Sequence, residues 1–236
     1  MTLKDRTVLV IGRGGGIAQA TTDAVREAGG TVVVAGRDRD ALVTAYADPA
    51  IRAEAVDLTD ESSVAGLAQR LGTVDHVVTT ASARARGTAA ELDPEVVTAS
   101  LRTKAVGAIL LAKHFAGRMP ADGSFLLFSG ATAVKPAPGM LAVAATNGAV
   151  DAIVRSLAVE LAPIRVNAIS PGTIDTGAYD ALGARRKAAL FEQRGSTNPA
   201  RRIGTAGDVA QAVVFALTST FLTGVSLGID GGERLV

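Results

Sequence analysis

The sequence predicts one α/β domain built on a parallel sheet, and three observations carry that expectation. Apolar, β-branched runs alternate with stretches of helical spacing along the chain, the pattern of repeated strand-helix-strand units. The first run, Thr7–Ile11, passes through a glycine-rich turn directly into a helical stretch. With 236 residues, 48% of them hydrophobic, the chain can bury one large core, and α/β folds of this size are commonly single domains, here 1–236.

The turn is the most informative stretch. In Gly12-Arg13-Gly14-Gly15-Gly16-Ile17-Ala18, the residues Gly12, Gly16 and Ala18 have the spacing of the dinucleotide fingerprint. Glycines there let the chain turn and let backbone approach a phosphate, while the helix start aims N–H groups and its positive dipole end at the ligand. An ordinary tight turn has the same local look, so the rest of the chain has to decide.

After a helix over roughly Gly16–Ala28 and a break at Gly29-Gly30, Thr31–Ala35 reads as a second strand ending at Gly36-Arg37-Asp38. In a dinucleotide fold this end meets the adenosine ribose, where an acid holds a 2′-hydroxyl and an arginine accepts a 2′-phosphate. Gly36 occupies the usual place of the acid and Arg37 follows it, which favours NADP(H) over NAD(H). A helix near Arg39–Tyr46 and a strand at Ala53–Val56 lead to Asp57-Leu58-Thr59-Asp60, where Asp57 is either an adenine contact or a turn residue. Glu61–Leu71 has helical spacing with an N-cap at Thr59 or Asp60. A strand over Val74–Ser82 follows, with Thr80, Ala81 and Ser82 placed along the cofactor and His76 near the opposite edge of the sheet, structural or exposed.

Together with Arg165-Val166-Asn167 through Pro171-Gly172 and the terminal Asp230-Gly231-Gly232, these stretches resemble the short-chain dehydrogenase/reductase family over nearly the whole chain. The resemblance implies a Rossmann-like, doubly wound parallel sheet of seven strands with helices on both faces. It also implies a nicotinamide dinucleotide, with Pro171, Gly172, Ile174 and Thr176 around it, and a substrate lid near 176–201. A homodimer or homotetramer on the fourth and fifth helices, near Glu95–Arg118 and Gly139–Leu161, follows from the same likeness.

The family's active site is a quartet of Asn, Ser, Tyr and Lys, and here those positions read Lys104, Gly130, Val143 and Asn147. Ser129 precedes the serine position, and a slip of one would put Thr103 in place of Lys104. Losing a positioned proton donor costs about 10²–10⁴ in rate, so ordinary carbonyl reduction is not expected. Lys104 and Asn147 look like an exchange of residue types between neighbouring helices; if both face one pocket, a cation and an amide remain beside the ribose, and otherwise Lys104 is a solvated or interface lysine. Lys104, Ser129 and Tyr179 are the candidate proton-handling groups, while His114 lies on the outer half of its helix. Arg84, Arg86, Thr132 and Lys135 come from loops that flank substrate in the family and name no chemical class. In the lid, Arg185-Arg186-Lys187 reads as a solvated helix face or as an attraction for an acidic substrate.

Three readings stay open: an NADP(H)-dependent oxidoreductase with nonstandard protonation, an NADP-binding pseudoenzyme acting as sensor or partner subunit, and a non-redox cyclase or isomerase in the same pocket. Net charge of +1 argues against nucleic acid and anionic membrane as partners. The chain has no cysteine, which excludes a disulfide framework or thiolate metal site, and no metal is expected. Met1–Arg6 is too short and mixed in charge for a signal peptide, and no apolar run reads as long enough to span a bilayer, so a cytoplasmic protein acting on a small molecule is expected.

Overall fold

Alternate residues of the first strand enter two different cores. The structure, a computed structural model, describes residues 2–236, and Met1 lies outside the described residues. In β1 (Thr7–Ile11), Val8 and Val10 are buried on one side and Leu9 and Ile11 on the other. A strand covered on both faces has no polar side to show, which is why its sequence is apolar throughout. Along the chain follow α1 (Gly16–Glu27), β2 (Thr31–Gly36), α2 (Arg39–Tyr46), β3 (Arg52–Ala55), α3 (Glu61–Leu71), β4 (His76–Thr79) and α4 (Pro94–Leu101). Then come α5 (Gly107–Phe115), β5 (Ser124–Phe128), α6 (Leu141–Glu160), β6 (Arg165–Pro171), β7 (Ile174–Asp175), α7 (Ala184–Thr197), β8 (Gly204–Thr205), α8 (Ala206–Thr218) and β9 (Ser226–Ile229).

Seven strands form one parallel sheet in the order β3-β2-β1-β4-β5-β6-β9, and β7 with β8 makes a separate short ribbon. One core packs α3, α5 and α6 on the sheet; the other packs α1, α2 and α8 on its opposite face. The strand order reverses between β1 and β4, and in such sheets ligands bind above the C-terminal strand ends at that point. The seven-stranded, doubly wound fold expected from the sequence is the one observed.

The differences lie at boundaries. β3 starts and ends one residue early, and β4 stops at Thr79 because Thr80–Arg86 leaves the sheet as a loop. The helix expected over 95–118 is α4, a π-helical turn at Arg102–Val106, α5 and a 3₁₀ turn at Ala116–Arg118. One expectation is corrected: α6 is 20 residues long and apolar enough to cross a bilayer by length and composition. One face of it instead buries Val150, Val154 and Leu157 against the sheet, and the helix carries Asp151, Arg155 and Glu160.

Helix starts explain where several elements begin. Asp38, Asp60 and Asp93 accept from backbone N–H groups of α2, α3 and α4, and Thr205 with Asp208 forms a capping box on α8. Such caps contribute about 1 kcal/mol each. α1 differs: its N-cap is Gly15, and no side chain caps it.

Two residues of the Arg165–Asn167 stretch are fasteners. Buried Arg165 donates to the carbonyls of Ala216, Leu217 and Ser219 at the end of α8, and Asn167 Nδ2 donates to Leu222 O at 2.8 Å. His76 is buried, 2.9 Å from Ser124 Oγ through Nδ1, and desolvation together with Arg165 brings its pKa down to about 4. It is a neutral core histidine, while His114 sits 3.1 Å from Glu61 on the outer face.

Candidate active site

The glycine turn between β1 and α1 is tight on one side and open on another. A Cβ on Gly12 would lie 2.3 Å from Thr80 Oγ1 and 3.0 Å from Ala18 Cβ, so only glycine fits. A Cβ on Gly14 would meet Ala45 Cβ at 2.3 Å, which packs the turn on α2. Gly15 has nothing within 4 Å of that position, and its backbone is extended. Gly16, at φ +56°, has Thr176 O 3.1 Å from the same kind of position, so the segment after β6 leans over the turn. An uncapped helix end with a glycine facing open space suits a phosphate group. Gly15→Ala is accordingly expected to leave the unfolding midpoint unchanged while lowering dinucleotide affinity, and Gly12→Ala to cost about 1–3 kcal/mol by overpacking; denaturant unfolding and calorimetric titration separate the two.

Other sequence-derived cofactor positions divide by environment. Arg13 and Arg37 are exposed, and among the described residues neither has an ion-pair partner. Gly36 has no room for a side chain, its Cβ position being 2.7 Å from Gly12 O. Asp57 Oδ1 accepts from Thr59 N and Oγ1, both at 2.8 Å, which fixes the turn after β3. Leu58 and Ile174 are buried, and their side chains pack rather than project. Thr80 N and Oγ1 both donate to Ile11 O, pinning the loop after β4 beside the glycine turn; Ala81 packs on the core and Ser82 is exposed. Ile17 packs partly against the opposite core.

Lys104 and Asn147 meet. Lys104, on the π-helical turn, donates through Nζ to Asn147 Oδ1 and, at 3.0 Å, to Ser129 O. Thr103, the alternative for that position, donates back to Ala99 O at 2.8 Å. The Asn147 amide donates to Thr132 Oγ1 at 2.8 Å, and a Cβ on Gly130 would lie 2.6 Å from Asn147 Nδ2. Gly130 is thus the space that Asn147 uses. Burial first, and the nearby Arg84 charge second, pull the Lys104 pKa down to about 7, while Asp151 pulls the other way. On α6, Val143, Asn147 and Asp151 follow at four-residue intervals, so they share one helix face.

Ser129 and Tyr179 have other engagements. The Ser129 hydroxyl donates to Asn147 O at 3.2 Å, and the residue is buried. Tyr179 packs edge-on against Phe191 of α7, ring centroids 5.4 Å apart. Among the described residues no hydrogen bond joins Tyr179 to Lys104, Ser129 or Asn147.

Sequence reasoning did not find Glu233 and Asp151. Glu233 accepts from Thr173 N at 2.6 Å and from Arg194 of α7 at 3.0 Å, tying the loop after β6 to that helix. Its only signal was position, just after Asp230-Gly231-Gly232. Asp151 has a buried carboxylate oxygen, Oδ1, with no hydrogen-bond partner, and the periodicity of α6 was the available clue.

Comparison with known proteins places this geometry among relatives. The family model described as enoyl-(acyl carrier protein) reductase matches residues 12–233. A short-chain dehydrogenase/reductase of an Acremonium species is 31% identical, covering 99% of this chain and 97% of its own. A small-chain dehydrogenase crystallised in complex with NADPH is 32% identical with TM-score 0.86, covering 98% of this chain and 99% of its own. A short-chain oxidoreductase from Pseudomonas aeruginosa PAO1, described as containing an atypical catalytic center, is 27% identical with TM-score 0.90 and 98% coverage of both chains.

Proposed function

Because the chain belongs to the short-chain dehydrogenase/reductase family, and the relatives named above are a dehydrogenase/reductase, an NADPH-bound dehydrogenase and an oxidoreductase, we propose that it is an NADP(H)-dependent reductase in which Lys104 supplies the proton. The contact of Lys104 with Asn147 carries this reading. The family's Lys and Asn have changed places, and the cation and amide still face each other.

An ammonium has three N–H donors. Two of those on Lys104 are used by Ser129 O and Asn147 Oδ1, and the third remains for an oxygen or nitrogen of the substrate. A pKa near the working pH suits a general acid, since the group is protonated often enough and gives its proton readily. Val143 holds no ionisable proton, and the Ser129 hydroxyl is already donating. A bound nicotinamide would supply hydride; Gly15–Ile17 would hold its phosphates, and Lys104 Nζ would hold the proton. The Pseudomonas relative with its atypical catalytic center supports the idea that this fold accommodates other arrangements.

Dinucleotide choice is assigned to Arg37. Charge-assisted hydrogen bonds to phosphate contribute about 1.5–3 kcal/mol, so NADP(H) is expected to bind roughly tenfold to a hundredfold tighter than NAD(H). Arg37→Ala is expected to erase most of that margin in calorimetric titrations, and equal affinities in the unmodified protein would refute the assignment.

The reading as a whole is tested by following NADPH oxidation against activated alkenes, imines and ketones beside simple ketones. Turnover with activated acceptors and little with simple ketones supports it. Ordinary turnover of simple ketones, near the ~10 s⁻¹ median of enzymes, would mean that another acid serves.

A further inference from the structure

The loop that follows β4 is held by hydrogen bonds while presenting two arginines that make no ion pair. Ser100 Oγ donates to Ala83 O, Ala85 is buried at 1% exposure, and Gly87 N donates to Gly139 O at 3.0 Å. Arg84 and Arg86 flank the buried Ala85 and are exposed. Neither has an ion-pair partner among the described residues.

Their surroundings are cationic. Partial desolvation and then the Arg86 charge lower the pKa of Arg84; Tyr179 opposes this, and Arg13 adds to it. Arg84 in turn acts on Lys104. The β4 loop lies beside the Lys104 pair, since Ser100, which holds Ala83 O, also contacts Thr146 Oγ1 at 3.3 Å next to Asn147, and Asp151 is the one carboxylate acting on Lys104. Like charges gathered beside low-dielectric protein raise the local potential and concentrate anions there. A dinucleotide would use Arg13 and Arg37, at the β1 and β2 ends, and would leave Arg84 and Arg86 uncommitted.

In the basic run of α7, Lys187 is paired with Asp175 at 2.8 Å and Asp180 at 2.7 Å, while Arg185 and Arg186 stand exposed on a helix that buries no residue, without the anchoring that holds the β4 loop.

We propose that Arg84 and Arg86 anchor an anionic group, a carboxylate or phosphate, on the substrate reduced beside Lys104, which makes them specificity residues for the reaction proposed above. The inference rests on that reading for the substrate's fate, though not for the anion site itself. Two guanidinium forks from one anchored segment suit the planar, bidentate recognition of such groups.

Phenylacetate, phenyl phosphate and neutral benzyl alcohol are titrated calorimetrically into the full chain, with and without saturating NADP⁺. The anions are expected to bind roughly tenfold to a hundredfold tighter than the alcohol, and the order of the two identifies the group preferred. Arg84→Gln with Arg86→Gln is expected to remove that margin and leave NADP⁺ affinity unchanged, while Arg84→Lys keeps part of it. Equal binding of anion and alcohol, or a margin that survives the double replacement, overturns the proposal. So does an equal loss of NADP⁺ affinity, which would assign the arginines to the dinucleotide. If NADP⁺ itself does not bind, the redox reading fails, and the anion margin without dinucleotide is still scored by the same criteria.

Discussion

Asn147→Lys alone is expected to destabilise the fold by about 3–5 kcal/mol, the cost of leaving a buried charge uncompensated. Asn147 is 3% exposed, and its Oδ1 accepts from Lys104, so the replacement sets a second amine against the first and removes the acceptor. Lys104→Asn in the same chain should recover most of the loss, since one cation and one amide then share the space again. Urea unfolding of the two single variants and the double variant forms a cycle, and a double variant no better than Asn147→Lys would show that the two side chains are not coupled. The same geometry revises any attempt to restore the family quartet. Gly130→Ser with Val143→Tyr and Asn147→Lys, made without changing Lys104, would set a serine side chain and a second amine beside the Lys104 amine, in the space now filled by one amide.

Lys104→Met is expected to lower NADPH-dependent turnover by about 10²–10⁴, the usual contribution of a positioned acid, with dinucleotide affinity retained. In the unmodified protein, reduction should hold steady below pH 7 and fall tenfold per unit above it, because the protonated amine is the donor and its pKa is brought down to about 7. Stability must run in the opposite sense. The unfolded chain binds the Lys104 proton up to about pH 10.4, whereas the folded one releases it near 7, so the folded state gains on the unfolded as pH rises between those values. Denaturant midpoints of the unmodified protein and Lys104→Met should therefore diverge over that window. A pH-independent difference, or a variant of undiminished turnover, would place the donor elsewhere.

Most of the architecture was legible because local and tertiary demands agree. Val8–Ile11 must be apolar on both faces, Gly12 must lack a side chain beside Thr80, and Asp60, one of the two N-cap candidates, caps α3. Each is written as residue type at a fixed spacing. The Lys104–Asn147 pairing was visible only as two exchanged residue types; their contact depends on the π-helical turn, and nothing in Arg102-Thr103-Lys104-Ala105-Val106 announces one. Glu233 was invisible for another reason. Its partners Thr173 and Arg194 lie 60 and 39 residues away in the chain, and no periodicity links them.

The wider π-helical turn also sets the phase of everything after it. An ordinary α-helix advances about 100° per residue, and a π turn absorbs one residue more without breaking the rod. Ser100 of α4 donates to Ala83 O before this turn, and Leu111 and Phe115 of α5 pack on the sheet after it, so the turn sets the phase between the two contacts. Removing a single residue between Arg102 and Val106 would reset the helix to its normal winding. It would force a choice between swinging Lys104 by roughly a quarter turn away from Asn147 and rotating α5 out of its bed. Substitution there changes a side chain, but a change in length changes the direction of a whole helix, so this short stretch fixes residue count more strictly than residue identity.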